Sequence, residues 1–151
     1  LIHCVRTGDW LEQRKRLMDL LEEAKEKQII RASGVSMHGL PPLRATAGSD
    51  WGDVRLVRIN HNGASMDNLQ GKKGPGDVDE VVKHIRSMHA AGKGIIGMKL
   101  IGNGDFTSPE QRDASIKFVM NLACVDAVTI GFKAPSEIDE AITRINKHLN
   151  A

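Results

Sequence analysis

Residues 78–104 read VDEVVKHIRSMHAAGKGIIGMKLIGNG, and this stretch joins the two patterns that decide the fold. Its first half has apolar residues at helical spacing, which predicts a helix with one buried face. Those residues are Val78, Val81, Val82, Ile85 and Met88. Its second half, at 94–100, is a short apolar run between glycines, which is typical of a buried strand. A helix followed by such a strand predicts one repeat of a parallel α/β sheet.

The same alternation occurs five times along the chain. Short apolar runs rich in β-branched residues predict five strands, each followed by a loop and a helix. These runs lie at 1–5, 30–35, 54–59, 94–100 and 127–131. The second unit has only a short predicted helix, near 43–47, because Pro41 and Pro42 precede it. The long loop at 60–76 is rich in Gly, Asn and Lys and is predicted to be functional or mobile.

Several helices carry their own start signals. Three pairs of a capping side chain and a Glu or Gln three residues later predict capping boxes. The pairs are Asp9 with Glu12, Asp77 with Glu80, and Ser108 with Gln111. Pro109 and Pro135 suit the first position of the last two helices. In the last helix one apolar stripe predicts that the helix lies flat on the sheet. The stripe consists of Ile138, Ala141, Ile142, Ile145 and Leu149.

Composition narrows the class of protein. A chain of 151 residues that is 40% hydrophobic predicts one domain, here 1–151, and no apolar run reaches the roughly 18 residues of a membrane helix. A net charge of +2 with few aromatics argues against nucleic acid as a partner. Cys4 and Cys124 are expected to be free thiols, with no structural zinc. We expect a cytoplasmic protein; the missing initiator methionine predicts residues before Leu1, and a targeting signal there would change that expectation.

Five βα units leave two architectures open. The chain is either a five-stranded doubly wound sheet or about five-eighths of a (β/α)₈ TIM barrel, which takes about 250 residues when complete. In both, active sites gather at the C-terminal ends of the strands. The candidate residues there are His3, Ser36, Met37, His38, Arg58, His61, Lys99 and, just beyond Gly131, Lys133.

Several of these candidates also have a purely structural explanation. A strand histidine such as His3 is usually a satisfied core or loop residue, and Ser36 suits a local turn. Arg58 within an apolar strand is harder to dismiss, because an unpaired buried charge is costly. Lys99 and Lys133 lie on the last two loops, where barrels often hold phosphate, so a phosphate-bearing ligand fits their placement.

The residues resemble the second half of bacterial aldo/keto reductases, in the same order and spacing over essentially the whole chain. The similar segments are LIHCV (1–5), EAKEKQIIRASGVSMH (23–38), VRLVRINHNG (54–63), GKGIIGMKLIGNG (92–104) and VDAVTIGFKAPSEIDEAI (125–142). The resemblance implies strands four to eight of a TIM barrel in which hydride passes from NAD(P)H to the carbonyl of a small aldehyde or ketone, without metal. His3 would orient the carbonyl, beside a tyrosine that donates the proton.

The resemblance also implies a cofactor site. Ser36 and Met37 occupy the positions that hold the nicotinamide carboxamide, although an asparagine is expected in place of Met37. Arg58 replaces a customary glutamine, and His61 lies near the ring that stacks on the nicotinamide. Gly131 and Lys133 belong to the loop that holds the adenosine phosphates, with Lys99 on the neighbouring loop.

Two departures from the family limit this interpretation. Glu137 stands near an arginine of NADP-preferring members, so NAD preference or weak cofactor binding is expected, with NADP not excluded. The chain contains no tyrosine, so the proton donor cannot be within it, and we expect the segment alone to be inactive.

Three other functions remain open on the residues alone. His3, His38 and His61 could ligate a metal in a barrel hydrolase. Lys99 could form a Schiff base in a lyase. The same pocket could also serve as a non-catalytic, nicotinamide-binding regulatory module. The sequence does not predict the oligomeric state.

Overall fold

A computed structural model describes residues 1–66 and 75–149, and within them it contains one five-stranded parallel sheet. The strands are β1 (Ile2–Val5), β2 (Gly34–Met37), β3 (Val54–Arg58), β4 (Gly94–Met98) and β5 (Ala127–Thr129). The helices are α1 (Trp10–Gln13), α2 (Lys15–Glu26), α3 (Leu40–Ala47), α4 (Val78–Ala90), α5 (Pro109–Met120) and α6 (Pro135–Leu149). The predicted α/β class with parallel strands is therefore confirmed.

The strand order is β1-β2-β3-β4-β5, so each strand pairs with the next along the chain. A doubly wound sheet instead has a point where the strand order reverses, and no such point occurs among the described strands. No helix in the described part of the chain is long and apolar enough to cross a bilayer.

The second strand lies further along the chain than predicted. The apolar pair Ile29 and Ile30 belongs to the turn after α2, where Ile29 is 73% exposed. The turn follows Gln28, whose φ of 58° lies in the left-handed region that ends helices. The strand itself begins at Gly34, where an added Cβ would lie 2.3 Å from the carbonyl oxygen of Val54. Glycine therefore permits the close approach of β2 to β3.

The predicted helix starts have mixed outcomes. Ser108 and Gln111 form the complete capping box, and the Asp77 side chain accepts a hydrogen bond from the Glu80 N–H. The Asp9 prediction is wrong, because its carboxylate accepts from Gln13 Nε2 and caps no backbone N–H. Helix α3 begins at Leu40, earlier than predicted, because prolines are tolerated in a first turn. Of the predicted functional loop, residues 67–74 lie outside the described residues.

The pairing register separates the two faces of the sheet. Val35, Arg55 and Ile95 are neighbours in one row, and all three are fully buried on the face that α4 covers. Ser36, Leu56 and Ile96 form the next row on the opposite face, where Leu56 and Ile96 are only half-buried. Residues two apart in a strand share a face, so His38 and Arg58 lie on this second, open face.

Large exposed apolar side chains occur only in the first and last units of the described chain. They are Leu1, Leu17, Leu20 and Ile29 in the first unit, and Phe132, Ile138, Ile142 and Leu149 in the last. The prediction that α6 lies flat on the sheet is therefore wrong, since three residues of its stripe are exposed. Helix α6 packs instead on α5, through Glu140 with Arg112 and through Asp113 with Arg144.

Candidate functional site

The C-terminal edge of the sheet brings together three side chains from separate strands. His3 of β1 and His38, just after β2, have ring centroids 6.1 Å apart in an edge-to-face arrangement. Arg58 at the end of β3 reaches His38 through Nη2, which donates a hydrogen bond to Nδ1 of the imidazole. We call His3, His38 and Arg58 the basic cluster.

Arg58 fixes which nitrogen of His38 carries the proton. A guanidinium can only donate, so Nδ1 must be the acceptor, and the neutral ring therefore carries its hydrogen on Nε2. Burial, as the largest cause, and the positive charges of Arg58, His3, Lys99 and Arg6 together lower the pKa of His38 to about 4. At neutral pH the ring is uncharged and presents a single N–H donor.

Buried polar atoms without a hydrogen-bond partner in the described chain concentrate at this edge. Of six such atoms, four belong to Ser36 (Oγ), His38 (Nε2), Arg58 (Nε) and His61 (Nδ1). A buried polar group without a partner costs about 1–3 kcal/mol, so native proteins leave few of them. These four atoms lie at the ends of two consecutive strands, β2 and β3. They indicate a place where a polar ligand completes their hydrogen bonding.

His61 connects the basic cluster to a neighbouring cleft. Its ring lies 5.1 Å from the Phe106 ring, centroid to centroid, at an angle of 58°, and burial lowers its pKa. Phe106 is itself buried against Gly102, whose φ of 55° and lack of a side chain admit the ring. His61 and Phe106 therefore form an aromatic wall between β3 and the loop after β4.

Asn60 holds the loop after β3. Its side chain donates to the carbonyl oxygens of Ala64 (2.7 Å) and Lys99 (3.1 Å) and accepts from the Gly63 N–H (2.9 Å). Lys99 has a φ of 66°, a left-handed conformation that is uncommon for a residue with a side chain. Asn60 thus ties the ends of β3 and β4 together and helps to fix Lys99 in that conformation.

A cleft of about 730 Å³ opens between the loops after β4 and β5. Lys99, Gly131 and Lys133, which the sequence placed beside a cofactor's phosphates, all line this cleft. Lys99 Nζ donates to Asn103 Oδ1 at 2.5 Å. Lys99 thus lines the cleft and also contributes to the field on His38, so the basic cluster and the cleft are neighbours.

The charges along the cleft are largely compensated. Arg112 and Arg144 both donate to Glu140, so neither is a free cation. Glu137, in the first turn of α6, accepts the Lys133 backbone N–H at 2.7 Å. Its carboxylate therefore occupies the helix N-terminus that would otherwise attract an anion.

Not every candidate reaches the site. Met37 is fully buried in the hydrophobic core, so its side chain does not reach the site. His61 packs on Phe106 rather than joining His3 and His38, and no group of three potential metal ligands occurs in residues 1–66 and 75–149.

His38, Asn60 and Phe106 are more important in the structure than the sequence indicated. For His38 a signal existed, because a residue two positions after Ser36 shares its face of the sheet. Asn60 directly after an apolar strand had the chemistry of a loop anchor. Nothing local to Phe106 indicated its contact with His61.

No protein-family model, curated protein or solved structure matches this chain.

Proposed function

We propose that this chain forms strands four to eight of an aldo/keto reductase-type (β/α)₈ barrel, and that the complete protein reduces a small carbonyl compound with NAD(P)H. The observation that carries the proposal is the group of four orphaned polar atoms at the C-terminal strand ends. That edge is where barrels of this kind carry their chemistry.

Two features support the barrel. The strand order runs without reversal, as in a sheet that curves in one direction toward closure. The large exposed apolar side chains lie only in the first and last units of the described chain, as expected where further units pack. The described residues of the three middle units carry none, so within the described chain the exposure is limited to the two end units.

The residues present fit a nicotinamide cofactor, which would supply the hydride when bound. The orphaned Ser36 hydroxyl suits a carboxamide, and His61 with Phe106 offers an aromatic wall. Lys99 and Lys133 offer positive charge for phosphates along the cleft. In this arrangement the ring of His3, an exposed residue within β1, donates an N–H to the substrate's carbonyl oxygen.

Glu137 favours NADH over NADPH in this proposal. Its carboxylate lies beside Lys133, and a second phosphate nearby would meet like charge. We expect the complete protein to bind NADH several-fold more tightly than NADPH, and Glu137→Arg to reverse the order. Titration of cofactor fluorescence measures both constants. Equal affinities in both proteins would remove Glu137 from this role.

The decisive experiment uses the complete protein encoded by this gene. We expect NADH fluorescence to change on binding, and His3→Ala to lower kcat for carbonyl reduction at least about 100-fold with little change in NADH affinity. His89→Ala, on α4 and remote from the site, is the matched control. A protein that binds no NADH, or a His3→Ala variant with full turnover, contradicts the proposal. Binding of NADH without any turnover would indicate the regulatory module instead.

A further inference from the structure

Two buried N–H groups of the basic cluster have no acceptor among the described residues. His38 presents Nε2–H, because Nδ1 already accepts from Arg58, and Arg58 itself presents Nε–H. The two donors are linked through one imidazole ring, one hydrogen bond and one guanidinium. Because the two nitrogens of an imidazole point in nearly opposite directions, the two donors serve different acceptors, and the guanidinium is the group whose N–H and charge suit a small oxyanion.

Arg58 is also the exception among the arginines that are not exposed. Arg112 and Arg144 pair with Glu140, and Arg55 donates to backbone carbonyls. Arg58 contacts only an imidazole, and no carboxylate in the described chain pairs with it. A half-buried cation without an anion is unfavourable, so an anionic ligand would gain both charge and hydrogen bonding here.

The surroundings of the pair are basic on every side. His3 and Arg6 approach His38 from β1 and its following loop, Arg58 from β3 and Lys99 from the end of β4. The largest charge contributions to the field on His38 all come from these basic residues. The field attracts an anion and discourages a neutral or cationic group.

We propose that Arg58, oriented by its hydrogen bond to His38, binds the carboxylate of the substrate, and that the substrate is a 2-oxo acid. This inference rests on the proposed function for the carbonyl, because His3 orients that group beside the pair. The His3 and His38 rings are neighbours, so the carbonyl and carboxylate sites lie close together, and a 2-oxo acid carries the two groups on adjacent carbons. Arg58 then serves the substrate rather than the cofactor.

The first test measures oxalate binding to the 151-residue chain by NMR of its histidine rings. Oxalate carries the same adjacent oxygen groups but cannot be reduced, so the measurement is independent of hydride transfer. We expect Arg58→Met to weaken oxalate binding roughly tenfold or more, because a charge-assisted bond is lost. Arg58→Lys should give an intermediate value, since it keeps the charge without the Nε–H. Arg16→Met, an exposed arginine on α2, should bind like the original chain.

Three results would overturn the inference. The first is oxalate binding that depends on Lys133 instead of Arg58, which would place the anion in the cleft. The second is full competition by pyrophosphate, which would assign the site to the cofactor's phosphates. The third is loss of NADH affinity in Arg58→Met with oxalate affinity unchanged. If the 151-residue chain binds oxalate but the complete protein does not bind NADH, the proposed function is contradicted and the anion site is retained.

A second test uses the complete protein with pyruvate and with propanal, which lacks the carboxylate. Arg58→Met should lower kcat/KM for pyruvate at least about tenfold and leave that for propanal nearly unchanged. An equal loss for both substrates would show that Arg58 does not recognise the carboxylate.

Discussion

Arg55 and Arg58 lie three residues apart on β3, on opposite faces and toward opposite ends of the sheet. Arg55 is fully buried, and its guanidinium donates to the carbonyl oxygens of Trp51 (2.5 Å), Ser49 (3.3 Å) and Val54 (3.4 Å). Arg58 is half-buried, and within residues 1–66 and 75–149 its side chain donates a hydrogen bond only to His38. Both arginines leave Nε without a partner, but the N-terminal edge uses its arginine to hold loops together through carbonyl oxygens, whereas the C-terminal arginine bonds to no oxygen of the described residues.

The acidic residues repeat this contrast. Asp53, at the N-terminal edge, accepts from Lys25 at 2.7 Å and from the Ser33 N–H at 2.9 Å. These hydrogen bonds lower its pKa. The basic cluster at the other edge has no such partner in the described chain. One edge is held together by an ion pair and by hydrogen bonds to carbonyl oxygens, and the other has no acidic partner in the described chain, as in parallel folds that separate structure from chemistry.

The largest expected effect on stability comes from removing the arginine of the N-terminal edge. Arg55→Met should lower the free energy of unfolding by about 2–4 kcal/mol, because buried carbonyl oxygens lose their donor. Urea unfolding followed by tryptophan fluorescence measures the change. Arg16→Met, which removes an exposed arginine, should change it by less than about 0.5 kcal/mol. Equal effects of the two substitutions would contradict the assignment of Arg55 as a structural residue.

Asn60→Ala should have the next largest effect, at about 2 kcal/mol, because several hydrogen bonds within one buried loop are lost. The loss should be local, so the substitution should accelerate hydrogen exchange of the Gly63 amide more than that of the β3 amides. Hydrogen exchange measured by NMR tests this. Asn121→Ala, at the exposed end of α5, is the control. Uniform acceleration throughout the sheet would show that Asn60 supports the whole fold instead.

Acid should weaken the two edges at different pH. The pKa of His38 is about 4 when folded, below the ordinary 6.5, so the unfolded chain takes up the proton first. Stability should therefore fall by on the order of 1 kcal/mol as the pH drops from 6.5 to 4, after allowance for solvent screening. The contribution of Asp53 is present above 3.8 and lost only below it.

His38→Gln isolates the first of these steps. The decline between pH 6.5 and 4 should disappear in this variant, while the decline below pH 4 remains. Unfolding free energies measured across the range test both parts. An unchanged decline in His38→Gln would show that another group is responsible.

The smallest expected effect is that of Arg58→Met. Because this arginine pairs with no carboxylate in the described residues, its removal should change stability by no more than about 0.5 kcal/mol. It should also raise the pKa of His38, since a neighbouring positive charge is lost. Titration of the His38 ring by NMR measures that shift. A loss of stability comparable to that of Arg55→Met would erase the contrast between the edges.

The sequence was sufficient for much of the fold because the repeating βα pattern is local. It predicted four strands closely and misplaced the second, since Ile29 and Ile30 look like strand residues and only packing shows them in a turn. It could not separate Arg55 from Arg58, because alternation along a strand does not say which face is buried. The stripe on α6 was visible, but not that three of its residues remain exposed.

For the site, the sequence identified the strand ends but not the bonds among them. The predicted residues were chosen one at a time, each by its position after an apolar run. The hydrogen bond between Arg58 and His38 joins residues twenty positions apart, and it depends on the register of β2 against β3. Register arises from packing of the whole sheet, so no local pattern contains it.

The sequential strand order has a consequence for how the sheet assembles. Each strand pairs with the one that follows it along the chain, so the main pairings close loops of only about one βα unit. Pairing each strand with the next keeps these loops short for a parallel sheet, so less chain entropy is lost before each contact forms than if distant strands had to pair. No strand has to enter between two that are already paired. The sheet can start at any unit and lengthen at either end.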